Sequence, residues 1–211
     1  MVNNFLVTGC THYGHYNVIR YCNRPFKTLA EMDTKLIKNA NERAKEDLTI
    51  YHLGDVCFRN SKGGKVGEGT INKFDYYKSQ LIGNYIFVSG NHDSNNGIKT
   101  KNHRIILNIA GIYVNLIHNP AYTIIEDESY YYPLTLNSHV HTAWKTKEIC
   151  NKNGKIALCI NCGVDQNEFR PISWDEIYSI YCKWLHSHPR RKEINRGIIE
   201  SRTRPIYVKD K

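Results

Sequence analysis

Tyr85-Ile86-Phe87-Val88-Ser89-Gly90-Asn91-His92-Asp93 decides the fold reading, because four β-favouring apolar residues run straight into a glycine and three polar side chains. The first four residues predict a strand over 85–88, and the glycine predicts a sharp turn at its end. The same grammar occurs twice upstream. Residues 4–8 enclose Phe5-Leu6-Val7 and enter Gly9-Cys10-Thr11-His12-Tyr13-Gly14-His15, while residues 48–53 end at Gly54-Asp55. Between those two strands, residues 28–45 carry Leu29, Met32, Leu36, Ala40 and Ala44 at three- and four-residue steps after Pro25, which predicts an amphipathic helix. Strands alternating with helices predict an α/β fold.

Residues 104–109, 112–117, 134–136 and 156–160 are further strand candidates, spaced closely enough to predict a second, partly antiparallel sheet. Ser173-Trp174-Asp175-Glu176 has the capping-box pattern and opens a helix to about residue 185, with Ile177, Ile180, Tyr181 and Trp184 facing inward. Residues 60–69 are glycine-rich and predict a flexible loop over one edge of the domain. No internal repeat is visible. From residue 183 onward nine Lys and Arg stand against three Asp and Glu with little apolar periodicity. The expected organisation is one domain over residues 1–185 and a basic C-terminal segment over residues 186–211.

A chain of 211 residues with 41% apolar content can bury one substantial core. No apolar run approaches the roughly 20 residues of a membrane span, and the first residues lack signal-peptide character, so a cytoplasmic protein is expected. Seven scattered cysteines, an odd number, argue for reduced thiols and against a disulfide scaffold. Cys159 and Cys162 have CxxC spacing, but on a strand they point to opposite faces and read as core residues. Lys and Arg exceed Asp and Glu by 29 to 20, a net charge of +9, which favours polyanionic partners such as nucleic acid without requiring them.

Residues able to bind a metal recur just past successive strand ends: Cys10 and His12, Asp55, Asn91 and His92, His118, then His139 and His141. That edge of an α/β sheet is where ligands bind, and imidazole with carboxylate and amide oxygen suits first-row divalent ions. Cys10-Thr11-His12, Gly54-Asp55, Gly90-Asn91-His92-Asp93, His118 and Ser138-His139-Val140-His141 resemble, in this order, the five signature blocks of the calcineurin-like metallophosphoesterases. His15-Tyr16-Asn17, Asn23-Arg24-Pro25-Phe26 and Asn161-Cys162-Gly163-Val164-Asp165 look like a small subgroup of bacteria and their phages.

The resemblance implies a two-sheet sandwich flanked by helices and a centre of two divalent metal ions, Mn, Zn, Fe or Ni. It implies that His12, Asp55, His141 and Cys10 bind one ion and that Asn91, His118 and His139 bind the other, with Asp55 bridging. His92 then protonates the leaving alkoxide or lies against it, and Asp93 orients the His92 ring. Asn91, His15 and Arg24 are candidate substrate contacts, although Arg24 reads equally as a structural ion pair and His15 as an ordinary loop histidine. The implied substrate is a phosphate ester, with a nucleotide or nucleic-acid diester favoured by the positive charge.

Two positions depart from the family pattern. Ser138 stands for a usual glycine, which asks for a small backbone adjustment. Cys10 stands where the family has Asp, and three readings stay open: a genuine thiolate ligand, a tolerated loss that weakens the first metal, or an inactive domain. The competing function is a catalytically impaired protein that keeps the fold to bind nucleotide or nucleic acid.

Overall fold

The computed structural model describes residues 4–58, 72–123, 132–150 and 154–194. Strand β1 (Phe5–Thr8) is buried throughout and sorts its side chains by alternation. Phe5 and Val7 join the main core, while Leu6 packs on the other face with Leu48 and Ile50. Helix α1 (Tyr16–Tyr21) and helix α2 (Leu29–Arg43) follow, then β2 (Thr49–His52), helix α3 (Phe74–Lys78) and β3 (Asn84–Phe87). Next come β4 (Arg104–Ile109), β5 (Ile112–Ile117), β6 (Leu134–Asn137), β7 (Thr146–Cys150), β8 (Ile156–Asn161), β9 (Ile172–Ser173) and α4 (Trp174–Ser187).

The strands form two sheets. The first has the order β3-β2-β1-β9, with β1, β2 and β3 parallel and β9 antiparallel; the second has the order β4-β5-β6-β8-β7. In the second sheet β5, β6 and β8 are parallel, and the outer pairs β4-β5 and β7-β8 are antiparallel, as the close strand spacing predicts. Val7, Val114, Leu116, Leu134, Leu136 and Ile160 share one buried cluster between the sheets. Trp174, Ile177 and Tyr181 of α4 join that cluster, and Met32 and Leu36 of α2 pack with Tyr13, Val18 and Tyr77 in a second one. The architecture is the expected helix-flanked two-sheet sandwich.

Local chemistry explains the helix starts. Thr28 accepts from the Glu31 N–H at the head of α2, and Ser173 and Glu176 exchange the two bonds of a capping box at the head of α4. The sequence patterns passed over α1, α3, β7 and β9. The helices have six and five residues and β9 two, too short for periodicity to register, and β7 is almost wholly exposed and carries no apolar alternation. The expected loop at 60–69 lies outside the described residues.

The basic segment does not begin as a free tail. Helix α4 runs through His186 and Ser187, and Ile194 is 3% exposed within the main cluster. The folded unit therefore extends to Ile194, and residues 195–211 lie outside the described residues. Ile194→Ala should cost about 2–5 kcal/mol in urea unfolding, as for other buried aliphatic truncations. A change near zero would mean that Ile194 belongs to a solvated tail.

Candidate metal centre

Six mutually aligned strands deliver six loops to one edge. β1, β2 and β3 lead to Cys10 and His12, to Asp55, and to Asn91 and His92; β5, β6 and β8 lead to His118, to His139 and His141, and to Asp165. Parallel strands are what bring these residues together, since their C-terminal ends share an edge. The backbone at this edge is strained. Cys10, His12, Asp55, His139 and His141 all adopt positive φ, from 44° to 55°, a region uncommon outside glycine.

Two glycines make the close approach possible. A Cβ on Gly54, whose φ is +83°, would lie 2.5 Å from the Gly90 nitrogen, and one on Gly90 would lie 2.3 Å from the Asp55 carboxylate. Ser138 takes the space that Gly9 leaves, because a Cβ on Gly9 would meet the Ser138 Cβ at 2.7 Å.

The His118 tautomer follows from its partners. Nδ1 lies 2.7 Å from the Leu53 carbonyl, which can only accept, so Nδ1 carries the proton. Ser138 Oγ donates to the same carbonyl at 2.6 Å and lies 3.1 Å from Nδ1. In the neutral ring the opposite nitrogen, Nε2, is thus a bare lone pair. It faces Asn91 Oδ1 at 2.9 Å, His139 Nδ1 at 3.2 Å and Asp55 Oδ2 at 3.3 Å. Asn91 Oδ1 and Asp55 Oδ2 can only accept, so facing them with the Nε2 lone pair calls for a cation among these atoms, either a proton or a metal.

A second group of donors adjoins the first. Cys10, His12 and His141 each present a ligand atom within 4.8 Å of one another, and Cys10, Asp55 and His118 do the same. Asp55 Oδ2 lies 3.7 Å from His12 Nε2, between the two sets. His12 is 3% exposed, yet among the described residues neither ring nitrogen has a hydrogen-bond partner, a costly state unless a ligand satisfies them. The donor set, imidazole with carboxylate and thiol, fits divalent cations.

Electrostatics favour the ligating protonation states of His12, His139 and Asp55 and oppose them at Cys10 and His141. Burial, with His141, Arg24 and His15 adding to it, lowers the His12 pKa well below its ordinary value against the pull of Asp55; burial and His118 lower that of His139. Burial opposes ionisation of Asp55, but the His118 bond, with His12 and the His92 N–H, holds the carboxyl well below its usual range. Burial and Asp55 push the Cys10 thiol well up, although the His139 N–H donates to its sulfur at 3.0 Å. Burial works against a charge on His141, while Asp165, 2.7 Å from Nδ1, and Cys22 raise it to about 9.

Asp165 is the residue that the sequence reading quoted without a role. It fixes the His141 ring, leaving Nε2 for a ligand, in the carboxylate–histidine arrangement common at metal sites. Only its place after β8, the sixth loop at this edge, could have signalled it. Arg24 grips both Asp165 oxygens, at 2.7 and 3.1 Å, and donates to the Cys10 and Thr11 carbonyls. Its side chain is fully buried. Arg24 is therefore a structural ion pair, and the expectation of a substrate contact is corrected: its guanidinium is spent on Asp165 and two loop carbonyls.

Asp93 also differs from expectation. It is fully buried and accepts the backbone N–H groups of Asp55, Val56 and Gly90 at 3.0, 3.0 and 2.7 Å. Its carboxylate ties the loops after β2 and β3 together instead of orienting the His92 ring. His92 donates its backbone N–H to Asp55 Oδ1 at 2.9 Å, with its ring 5.7 Å from His12 and 6.2 Å from Phe58. His15 stacks on Phe58 at 4.3 Å and lies 5.6 Å from His12, at the rim.

The calcineurin-like phosphoesterase family model matches residues 4–209. An uncharacterised protein of Methanocaldococcus jannaschii, MJ1445, is 33% identical over 172 residues, covering 81% of this chain and 86% of its own. Among solved structures, the AQ665 protein of Aquifex aeolicus superposes with a TM-score of 0.58 at 24% identity, over 84% of this chain and 98% of its own. Zinc-complexed Vps29 from Entamoeba histolytica matches with a TM-score of 0.37 at 15% identity, over 76% of this chain and 73% of its own. A match that spans the whole donor edge, joined to a relative aligned over four-fifths of the sequence, settles the kinship: the chain belongs to the calcineurin-like phosphoesterase family.

Proposed function

We propose that this protein hydrolyses a phosphodiester of nucleotide or nucleic-acid type at a centre of two divalent metal ions. The observation that carries the reading is the pair of acceptors, Asn91 Oδ1 and Asp55 Oδ2, facing His118 Nε2, beside a buried His12 whose ring nitrogens have no hydrogen-bond partner among the described residues. Cys10, His12, Asp55 and His141 hold one ion; Asp55, Asn91, His118 and His139 hold the other. Two such ions lower the pKa of a bound water and neutralise phosphate oxygens during in-line displacement.

The chain supplies the rest. Asp55 keeps its negative charge between the two donor sets. The His118 and His141 rings are locked by Leu53 and Asp165, so their free nitrogens stay aimed at the centre. His92, half-buried beside His12, holds the proton that the leaving alkoxide takes. The net charge of +9 supports a polyanionic substrate. The direct test is a phosphoester panel of bis-p-nitrophenyl phosphate, p-nitrophenyl phosphate and cyclic nucleotides with Mn, Zn, Fe, Ni and Mg; no turnover with any metal leaves the binding-protein reading in its place.

Asp55→Asn should lower turnover by several orders of magnitude in a folded protein, because the amide cannot bridge as a charged group. Near-normal turnover with full metal content would sink the two-metal assignment. His92→Ala should damage esters with poor leaving groups far more than nitrophenyl esters, which need little protonation. Equal losses in both classes would remove His92 from the acid role. For Cys10, replacement by Asp should tighten Mn binding and maintain or raise Mn-dependent activity, whereas Cys10→Ser should lower metal stoichiometry. Unchanged stoichiometry and kinetics in both variants would mean that Cys10 does not coordinate.

A further inference from the structure

A cleft of about 450 Å³ leads away from Asn91 and His118 and is lined on its far side by His103, Arg104, Asn119 and Tyr122. Its size suits one small ligand of nucleotide dimensions. Arg104 opens β4 opposite Ile117, the residue before His118, so the antiparallel register fixes a cation beside the metal centre. One arm of the guanidinium donates to the Tyr122 carbonyl, and Nε is buried with no hydrogen-bond partner among the described residues. Among the described residues no carboxylate pairs with Arg104.

A half-buried, unneutralised cation is costly, and an anion beside it removes that cost. Burial already pulls the Arg104 pKa down, a sign of that desolvation. Tyr122, whose carbonyl takes the Arg104 bond, lines the same cleft and is 68% exposed, an aromatic residue of the kind on which nucleobases stack. Lys99 and Lys101 precede Arg104 and add positive charge to the approach.

We propose that this cleft is a specificity subsite for a nucleotide carrying a second phosphate, with Arg104 holding that phosphate and Tyr122 stacking on the base. The inference rests on the hydrolase reading for the position of the reacting phosphate. It distinguishes nucleotides from simple aryl esters, which lack both features. Two sources offer this chemistry: an oligonucleotide end, with phosphates on both sides of the sugar, and a nucleoside diphosphate.

The test is calorimetric binding of thymidine monophosphate, thymidine 3′,5′-bisphosphate and thymidine diphosphate to the Mn-loaded full chain. At least one of the two doubly phosphorylated ligands should bind about tenfold more tightly than the monophosphate, the worth of one charge-assisted contact, and the tighter one identifies the source. Arg104→Gln should collapse that advantage to near one, while Arg104→Lys, which keeps the charge and guards against a folding defect, should retain part of it. Tyr122→Ala should weaken all three ligands relative to inorganic phosphate. No advantage in the native chain, or an advantage that survives Arg104→Gln, overturns the proposal. These affinities are read without turnover, so a failure to hydrolyse bis-p-nitrophenyl phosphate would count against the hydrolase reading alone.

Discussion

The loops after β1 and β2 are largely buried and pair with each other only in part, through bonds such as Cys10 N–H to the Gly54 carbonyl and His12 N–H to the Asp55 carbonyl; the backbone groups left over need side-chain partners, and that constraint organises the site. Buried amides and carbonyls must be satisfied somehow, and here buried charged side chains do it. Asp93 takes three N–H groups from the loops after β2 and β3, and Asp55 returns a bond to the His92 N–H. Arg24 takes two carbonyls from the loop after β1 and joins them through Asp165 to the loop after β8. Removing Asp93 would orphan three backbone N–H groups, and removing either partner of Arg24–Asp165 would leave a buried charge uncompensated. Removing one partner of a buried ion pair alone typically costs about 3–5 kcal/mol.

The clamps also account for the strain. Among the described residues nine non-glycine positions have positive φ, and five of them are Cys10, His12, Asp55, His139 and His141. Such conformations persist only where the surroundings over-determine them, and they cost about 1–3 kcal/mol each. The surrounding hydrogen bonds hold donors in positions that a relaxed loop would not offer. A preorganised centre is the consequence, since the donors need no rearrangement to meet a cation.

Cys10 alters the charge balance of this centre. The surroundings hold Asp55 ionised, whereas burial and Asp55 disfavour a charge on the Cys10 thiol, and a carboxylate at that position would add a second negative charge. The His139 N–H pointing at the sulfur stabilises a thiolate once a cation is close.

The strand–glycine–ligand grammar made the α/β class, both sheets, α2, α4 and the sequence positions of the candidate metal-binding side chains legible, because alternation and turn chemistry are local properties of the chain. Short elements such as α1 and α3 left no such trace. The roles of Arg24, Asp93, Asp165 and Ser138 were decided only in three dimensions. Arg24 meets Asp165 across 141 residues, and Ser138 reaches the Leu53 carbonyl across 85, distances over which no local pattern carries information. The same holds for Arg104, an ordinary strand-opening arginine in the sequence, which antiparallel pairing sets beside His118. Sequence specified which groups could bind a cation, since that depends on side-chain chemistry; tertiary structure specified which of them face one another, since that depends on strand direction and register.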